Sequence, residues 1–283
     1  MARRAALAAT ATIVVAASAL AGAPAPASAQ TTVVEQGGRF ATGSGKSCTI
    51  GLNDPARGVS YSAAHCGKRG DLVYFVDENG YRFSTPVGIF EPSSRYDFAS
   101  ASNDWSLIRW YPGVKVQPNR FGGDYYPASK LSPGEQMCFH GYTSHGAGNR
   151  ASCGRYLGSV GQNVYYEVRS ELQAGDSGGP VFVPGKGTVG VVAGNTTVSD
   201  GRTSITVGRA AATSDGPLVD AATVNRLVAP LLGQRVKTTV QDPGETDLVK
   251  VRELSSNPAS VLGPLIAVLA ALLPLVGGWM TIR

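Results

Sequence analysis

The nonapeptide AGDSGGPVF, Ala174 to Phe182, places three glycines and a proline around one Asp-Ser pair, directly before an apolar run. Two interpretations of this stretch are open. Glycine supplies positive φ, aspartate accepts hydrogen bonds from nearby backbone N–H groups and proline fixes φ, so the residues are typical of a tight turn between strands. They also present a serine, Ser177, that a neighbouring base can turn into a nucleophile. The rest of the chain has to decide between the two.

Length and composition predict a folded globular protein. The chain has 283 residues, of which 43% are hydrophobic and only 16% are charged, enough for one large or two small cores. The formal net charge of +5 is a weak bias. Because the sequence shows no cluster of Lys and Arg interleaved with aromatic residues, it gives no support for nucleic-acid binding. We expect a monomer that uses no cofactor and no metal.

The amino-terminal end has the pattern of a secretory signal peptide. Arg3 and Arg4 precede the apolar stretch Ala5 to Leu20, and a Pro-rich segment then ends in Ala27-Ser28-Ala29. A basic start, a short apolar run and a small-residue cleavage site are the three parts of such a signal. The sequence therefore predicts export, with residues 1–29 removed after Ala29.

The carboxyl-terminal end predicts a membrane anchor. Residues 259–280 are uncharged over 22 positions, which is the length that a bilayer core requires. A buried helix is the alternative, although few globular helices are apolar on every face for so long. The preceding residues, 233–258, mix balanced charges with Pro and Gly and show no clear period, so they predict a stalk with a reach of roughly 28 Å. We expect the protein on the outer face of the cell membrane, or secreted if the tail is removed.

The cysteines fit an exported protein. The chain has four, Cys48, Cys66, Cys138 and Cys153, and an even number in an oxidising compartment indicates disulfides. Three pairings are open. We favour Cys48 with Cys66 and Cys138 with Cys153, because each pair closes a short local loop, and neither pair has the C-x-x-C spacing of a zinc site.

The pattern from Thr31 to about Thr213 predicts an all-β protein. Short β-branched and aromatic runs alternate there with clusters of Gly, Pro, Asn and Asp, as in a sandwich or barrel. In VYFVDENGYRF, Asn79-Gly80 lies between two alternating runs and predicts a hairpin. One terminal helix is predicted in PLVDAATVNRLVAPLLG, which ends at Gly233 and whose apolar residues recur at helical spacing. This face consists of Val219, Ala222, Val224, Leu227, Val228 and Leu231.

The chain also contains the groups that would activate Ser177. A serine hydroxyl needs a base for its proton, a carboxylate to orient the base and donors for an oxyanion. Of the three histidines, His65 stands beside Cys66, where a disulfide would fix its backbone. His140 and His145 lie among glycines inside the loop between the other two cysteines, and we expect surface or loop-stabilising roles for both.

For the carboxylate, two aspartates are candidates. Asp104 in SNDWSLIRW stands just ahead of an apolar strand, a position from which a partly buried side chain can hold an imidazole. Asp97 in RYDFAS is the rival.

Three blocks taken together resemble a known family. SAAHC, NDWSLIRW and GDSGGP, in the order His, Asp, Ser, are similar to the chymotrypsin-fold serine proteases, in particular to their secreted bacterial, streptogrisin-like branch. The resemblance covers about Gly43 to Leu232. It implies a protease domain over residues 30–232, with two packed six-stranded β-barrels at about 38–120 and 121–232, and a protein or peptide as substrate.

The resemblance also implies roles for single residues. His65 would be the general base, Asp104 its orienting partner and Ser177 the nucleophile. The N–H groups of Gly175 and Ser177 would form the oxyanion hole, and Asp176 would be the buried acid that keeps the loop in its active shape.

The sequence departs from the family at the place of the residue that pairs with this acid. In the bacterial relatives an arginine follows the cysteine of this region, whereas here Cys138 is followed by Phe139 and His140. The candidates for the partner of Asp176 are His140, Arg150 and Arg155.

The resemblance places the substrate on a further set of residues. VVAGN, Val191 to Asn195, matches the strand that pairs with substrate backbone, so Ala193, Gly194 and Asn195 would line the pocket. Glu171 stands six residues before Ser177, where the base of the primary pocket is often found. A carboxylate there would favour cleavage after Lys or Arg, and a solvated loop glutamate is the alternative. A non-catalytic binding module and a serine esterase on the same fold remain alternatives to an endopeptidase.

Overall fold

A computed structural model of the chain describes residues 32–168, 172–199, 204–231, 237–241 and 250–251. The predicted signal peptide and the predicted membrane span, 259–280, lie outside these residues. Within them, no helix has the length and apolar character needed to cross a membrane. The described residues form strands and loops with two short α-helices, so the all-β prediction is confirmed.

The first part of the described chain contains ten short strands. They are β1 (Thr32–Val34), β2 (Arg39–Thr42), β3 (Ser47–Thr49), β4 (Leu52–Asp54), β5 (Val59–Ser62), β6 (Leu72–Phe75), β7 (Tyr81–Arg82), β8 (Gly88–Pro92), β9 (Ser106–Trp110) and β10 (Val114–Val116). A 3-10 helix, Ala64–Cys66, follows β5.

The second part contains eight strands, two α-helices and two 3-10 helices. The strands are β11 (Gln136–Phe139), β12 (Ser152–Val160), β13 (Asn163–Glu167), β14 (Pro180–Val183), β15 (Gly187–Ser199), β16 (Ser204–Ala211), β17 (Lys237–Gln241) and β18 (Lys250–Val251). The α-helices are α1 (Tyr142–His145) and α2 (Ala221–Val228), and the 3-10 helices are Ala128–Lys130 and Ala229–Leu231.

Seven strands of the first part form one antiparallel sheet, in the order β3-β2-β6-β8-β9-β5-β4. The two end strands, β3 and β4, are separated in sequence only by Ile50 and Gly51, so the sheet curves until its ends meet along the chain. Alternate side chains point into this curve. The core on its inner face includes Phe40, Ile50, Val73, Phe90 and Ile108, all of which are buried.

The second sheet has the order β14-β11-β12-β13-β16-β15-β17. Because β14 also pairs with β15, the first six of these strands close into a barrel, and β17 lies outside the ring against β15. The barrel interior is filled by apolar side chains that include Met137, Phe139, Tyr166, Val181, Val189 and Val192.

The two sheets meet through a small apolar cluster. Val191, Ala193 and Ala211 of the second sheet pack against Tyr61 and Trp105 of the first. This junction brings the end of β5, the start of β9 and the middle of β15 together, and all three segments border the predicted site residues.

The predicted hairpin is confirmed. β6 leads into a turn over residues 77–80, in which the Gly80 N–H donates to the Asp77 carbonyl at 3.0 Å and the Asp77 N–H donates to the Tyr81 carbonyl at 2.9 Å. Gly80 has φ +83°, a value that suits glycine, so the Asn-Gly pair gives the turn for the physical reason that the sequence suggests.

The predicted terminal helix is confirmed as α2. Asp220 caps its amino end by accepting the Ala222 N–H at 3.0 Å, as N-cap aspartates do. Val224 and Val228 are buried on the face turned to the barrel. The segment predicted as a stalk contains β17 and β18, which pair with β15 and β7, and the sequence does not predict either strand.

Candidate active site

His65 and Asp104 form a buried pair. The His65 Nδ1 lies 2.8 Å from Asp104 Oδ2, and the backbone N–H of His65 donates to Asp104 Oδ1 at 3.0 Å. Only 3% and 2% of the two side chains is exposed to solvent. Both carboxylate oxygens therefore bind one histidine, which fixes the orientation of the imidazole. Because Nδ1 faces a carboxylate, the tautomer with a proton on Nδ1 is favoured and Nε2 is left as the basic atom.

The backbone around His65 is fixed from two sides. Cys66 is bonded to Cys48, which ties the 3-10 turn that carries the histidine to β3. The Lys46 ammonium group donates to the His65 carbonyl at 2.8 Å. His65, Cys48 and Cys66 are the one group of potential metal ligands within the described residues. Since both sulfur atoms belong to a disulfide, neither is available as a thiolate.

Asp104 follows a strained loop. Ala101 and Asn103 have φ values of +51° and +53°, which L-residues rarely adopt and which cost about 1–3 kcal/mol each. The Asn103 side chain compensates through its Oδ1, which accepts the Gly216 N–H at 2.8 Å, and through its Nδ2, which donates to the Arg95 carbonyl at 3.1 Å. Strain held in this way next to a candidate site residue is a common feature of functional loops.

Asp104 remains ionised although it is buried. Burial by itself raises the pKa of this carboxyl. The charge and hydrogen bonds of His65 and the charge of Arg209 lower the pKa by more than burial raises it, so the net shift is downward. Arg209, on β16, is itself 2% exposed, and its Nη2 donates to the Ala193 carbonyl at 2.6 Å. A buried cation thus stands behind the histidine–aspartate pair.

Ser177 lies in a turn that rests on β3. The Thr49 N–H donates to the Ser177 carbonyl at 2.8 Å, and the Thr49 hydroxyl donates to the Gly175 carbonyl at 2.7 Å. A Cβ at Gly178 would lie 1.8 Å from the Ser62 hydroxyl oxygen, so this turn packs directly on the end of β5, three residues before His65. The geometry brings the predicted nucleophile and base into adjacent segments.

Two backbone N–H groups beside Ser177 are candidates for binding a ligand. Within the described part of the chain, neither the Gly175 N–H nor the Ser177 N–H donates a hydrogen bond, and the Ser177 hydroxyl has no hydrogen-bond partner there either. Gly175 has φ +94°, and a Cβ on it would lie 2.3 Å from Thr143 Oγ1. Glycine is therefore favoured at this position by conformation, and a larger residue would also require the Thr143 hydroxyl to rotate or the loop to shift.

The three predicted partners of Asp176 are wrong. The Ser144 N–H and hydroxyl donate to Oδ1 and Oδ2 at 2.9 and 2.5 Å, and the Gln173 N–H donates to Oδ2 at 2.9 Å. Arg155 binds Glu167 instead. Arg150 donates to the His145 carbonyl. The ring nitrogens of His140 lie near the Arg150 and Gly37 carbonyl oxygens, and the one N–H of a neutral imidazole donates to one of them. In the described residues the acid is held by neutral donors rather than by a cation.

The rival aspartate lies elsewhere. Asp97 accepts from the N–H and hydroxyl of Ser100, at 3.1 and 2.5 Å, and closes its own loop without contacting His65. The hydrogen bond from the Ser100 hydroxyl is the main reason that the pKa of Asp97 is lowered. Of the two candidates, the structure brings Asp104 to the histidine.

The other two histidines stabilise loops but are not on the surface. His140 is fully buried and stacks on Phe121 at 4.3 Å between ring centroids. His145 accepts the Gly141 N–H at 3.1 Å through Nδ1. The predicted disulfide between Cys138 and Cys153 is confirmed, and it joins residues that lie opposite each other in β11 and β12. Burial is the main reason that the pKa values of both histidines are lowered.

The predicted pocket residues are only partly described. Ala193, Gly194 and Asn195 lie on β15 immediately after Val192, the residue that binds the Ser177 turn through its backbone. Glu171 lies outside the described residues. Sequence reasoning missed Thr49, Ser144 and Arg209. Only Arg209 gives a signal, because a charge inside the apolar run ITVGRAA indicates a buried cation.

Neither a known protein-family model nor a curated protein sequence matches the chain. Solved structures do. A Nocardiopsis protease is 18% identical, with 74% of this chain and 100% of that chain covered and a TM-score of 0.42. A glutamic-acid-specific serine protease described as using a histidine triad in substrate binding is 15% identical, with 74% and 100% covered and a TM-score of 0.43.

A third structure, kallikrein-related peptidase 10 in complex with Zn²⁺, is 12% identical, with 70% of this chain and 97% of that chain covered and a TM-score of 0.40. The chain resembles the chymotrypsin-fold serine proteases, as its three sequence blocks predict.

Proposed function

We propose that the protein is an exported serine endopeptidase that cleaves peptide bonds through Ser177, His65 and Asp104. The observation that carries this proposal is the buried His65–Asp104 pair, with both carboxylate oxygens on one histidine, next to a turn with a serine hydroxyl and two N–H groups that have no partner among the described residues. A fold alone needs none of these features together, whereas acyl transfer needs all of them.

The proposed first step is acylation of Ser177. Its Oγ attacks the carbonyl carbon of the peptide bond while His65 Nε2 takes the hydroxyl proton. The imidazolium that forms keeps its Nδ1 proton on Asp104, whose charge stabilises it. The proton then passes to the amine of the leaving peptide, the carbon–nitrogen bond breaks and an ester to Ser177 remains.

The second step returns the enzyme to its starting state. A water molecule gives a proton to His65 and attacks the ester carbon, and the ester bond to Ser177 breaks as the proton returns to Oγ. In both steps negative charge develops on the former carbonyl oxygen. The N–H groups of Gly175 and Ser177 would bind this oxygen, and such donors are worth about 10²–10³-fold in rate each.

Substrate backbone would bind along Ala193, Gly194 and Asn195, which border the Ser177 turn on β15. The Gly178 N–H already donates to the Val192 carbonyl at 2.7 Å, so a peptide extended along the same edge reaches the serine within about three residues. Glu171, six residues before Ser177 in the sequence, would set a preference for Lys or Arg at the cleaved bond.

The finer architecture and location belong to the same proposal. If β3 and β4 were counted as one bent strand, the first sheet would be a six-stranded barrel like the second, and the cleft would lie between the two. Residues 1–29 would direct export, the parts of 233–258 outside β17 and β18 would form the stalk, and 259–280 would form the membrane anchor. The two disulfides support an oxidising compartment.

Reaction of the purified chain with a fluorophosphonate probe tests the nucleophile. The wild-type chain and an exposed control, Ser94→Ala, should both be labelled, and Ser177→Ala should lose labelling while keeping its circular dichroism spectrum. Labelling of Ser177→Ala, or no labelling of the folded wild type, would remove the assignment. Cleavage of a peptide library separates the endopeptidase from a serine esterase, since an esterase would leave the peptides intact.

A further inference from the structure

One edge of β15 is shared by three different segments. β16 covers the opposite edge along most of the strand. On the shared edge, β14 pairs with residues 187–191. At Val192 the turn that carries Ser177 binds this edge: the Val192 carbonyl accepts the Gly178 N–H at 2.7 Å and the Val192 N–H donates to the Gly179 carbonyl at 2.8 Å. β17 then pairs with Asn195 to Ser199. Only Ala193 and Gly194 separate the two latter contacts.

The direction of β17 is that of a peptide running towards the nucleophile. Its pairing with β15 is antiparallel, from Lys237 opposite Ser199 to Gln241 opposite Asn195. The carboxyl-terminal end of β17 is therefore the end nearest to Ser177. Three residues of extended chain, about 10 Å, span the distance from Asn195 to Val192 along the strand.

We propose that the edge of β15 from Asn195 to Ser199 is a docking site for extended peptides, and that β17 of this same chain occupies it as an intramolecular competitor of substrate. The inference rests on the proposed function, which places substrate backbone on Ala193 to Asn195. It goes further in two ways. It names β17 as a second occupant of the β15 edge beyond Asn195, and it predicts that β15 also binds substrate residues well before the cleaved bond.

Recognition by strand addition explains why one edge would accept both partners. Main-chain N–H and C=O groups supply most of the affinity in this mode, so the edge binds extended peptides with little regard to their sequence. A segment tethered to its site has an effective concentration in the millimolar range. A substrate that uses the same backbone groups must displace β17, which raises the apparent KM and leaves kcat unchanged.

The matched test uses the full-length chain with prolines in β17. Successive residues of an antiparallel strand direct their N–H groups to opposite sides, so one of Thr239 and Val240 directs its N–H towards β15. Proline has no N–H, so the double variant Thr239→Pro/Val240→Pro loses at least one hydrogen bond to β15. The control, Thr246→Pro/Asp247→Pro, carries the same number of adjacent prolines outside β17.

The first readout, amide hydrogen exchange, does not depend on catalysis. The amides of residues 195–199 that face β17, and not those that face β16, should exchange at least about tenfold faster in the β17 variant than in the wild type and the control. Equal exchange in all three proteins would show that β17 does not cover the edge, and the proposal would be overturned.

The second readout is steady-state cleavage of a peptide that extends at least five residues before the cleaved bond. We expect KM to fall about threefold or more in the β17 variant, with kcat and fluorophosphonate labelling unchanged. Faster exchange without a change in KM would overturn the competition. Absence of labelling in all three proteins would instead refute the proposed function, so the two failures are distinguishable.

Discussion

The half of the molecule that carries His65 and the half that carries Ser177 hold their active groups by different forces. In the first half, a buried carboxylate binds the histidine through both of its oxygens, and a disulfide fixes the turn. In the second half, glycine turns and neutral donors shape the loop, and the hydrogen-bond donors that the described residues offer to Asp176 are all uncharged. Charge therefore positions the base, whereas backbone conformation positions the nucleophile.

The largest effect should come from the charged half. Asp104→Asn keeps the shape of the side chain but removes the charge and favours the wrong imidazole tautomer, so kcat/KM should fall about 10⁴-fold. Asp97→Asn is the matched control and should change kcat/KM by less than about twofold, because the Asp97 side chain binds Ser100 of its own loop. Initial rates on one peptide substrate give both numbers, and the opposite ranking would show that the pair with His65 is not the functional one.

In the other half, a backbone change should have the next largest effect. Gly175→Ala places a Cβ 2.3 Å from Thr143 Oγ1 at a φ of +94°. We expect the strained backbone and this crowding to displace the loop, and the Gly175 N–H moves with it. We expect kcat to fall about 10²–10³-fold, the range for loss of one oxyanion donor. The measurement is kcat for a peptide substrate, with thermal unfolding to show that the fold persists.

A second substitution separates space from conformation in this prediction. Thr143→Ala removes the atom in the way and should by itself change little. The double variant Gly175→Ala/Thr143→Ala should recover part of the lost kcat, since only the cost of the positive φ, about 1–2 kcal/mol, remains. If the double variant is no better than Gly175→Ala, crowding at Thr143 does not contribute.

The contrast between charged and neutral interactions also explains which site residues can be predicted from the sequence. His65 and Asp104 are predicted from short blocks because charged chemistry allows few residue types, and both disulfides follow from loop length. The described donors to Asp176 are neutral, and two of the three are backbone N–H groups, so no residue type in the sequence points to Ser144 or Gln173. Searching for a cation led to Arg150 and Arg155, which bind other groups.

Long-range backbone pairing is the other limit. The hairpin at Gly80 and the helix α2 depend on residues close in sequence, and both are predicted from local patterns. β17 pairs with β15 across about forty residues of chain, in a segment whose composition indicates a stalk. A short strand without alternation leaves no sequence pattern, because its partner supplies the hydrogen bonds that define it.

Removal of one neutral donor should have a moderate effect. Ser144→Ala deletes the hydroxyl that donates to Asp176 Oδ2 at 2.5 Å and keeps the N–H that binds Oδ1. A hydrogen bond to a carboxylate contributes about 1.5–3 kcal/mol, so the free energy of unfolding in urea should fall by about 2 kcal/mol. Arg155→Ala is the control, and it should leave this free energy nearly unchanged, since Arg155 forms an exposed ion pair with Glu167. Equal losses would mean that the cationic candidate matters after all.

The smallest effect is a pH dependence of stability, and here a buried neutral group in the second half differs from the charged pair of the first. Burial is the main reason that the pKa of His140 is lowered. Below about pH 6.5 the unfolded chain binds a proton there that the native state does not, so the free energy of unfolding should fall as pH falls through this range, by at most about 1.4 kcal/mol per pH unit. Asp104 has a lowered pKa, so the stability that its ionisation gives is complete above about pH 4 and is lost only below that value. Between pH 7.5 and 5.5 the aspartate therefore does not change the free energy of unfolding, whereas the histidine does.

Urea unfolding of the wild type and of His140→Gln over this pH range tests the prediction. The free energy of unfolding should depend less steeply on pH in the variant, and the contributions of groups common to both proteins cancel. Identical slopes would mean that native His140 takes up its proton as readily as the unfolded chain does.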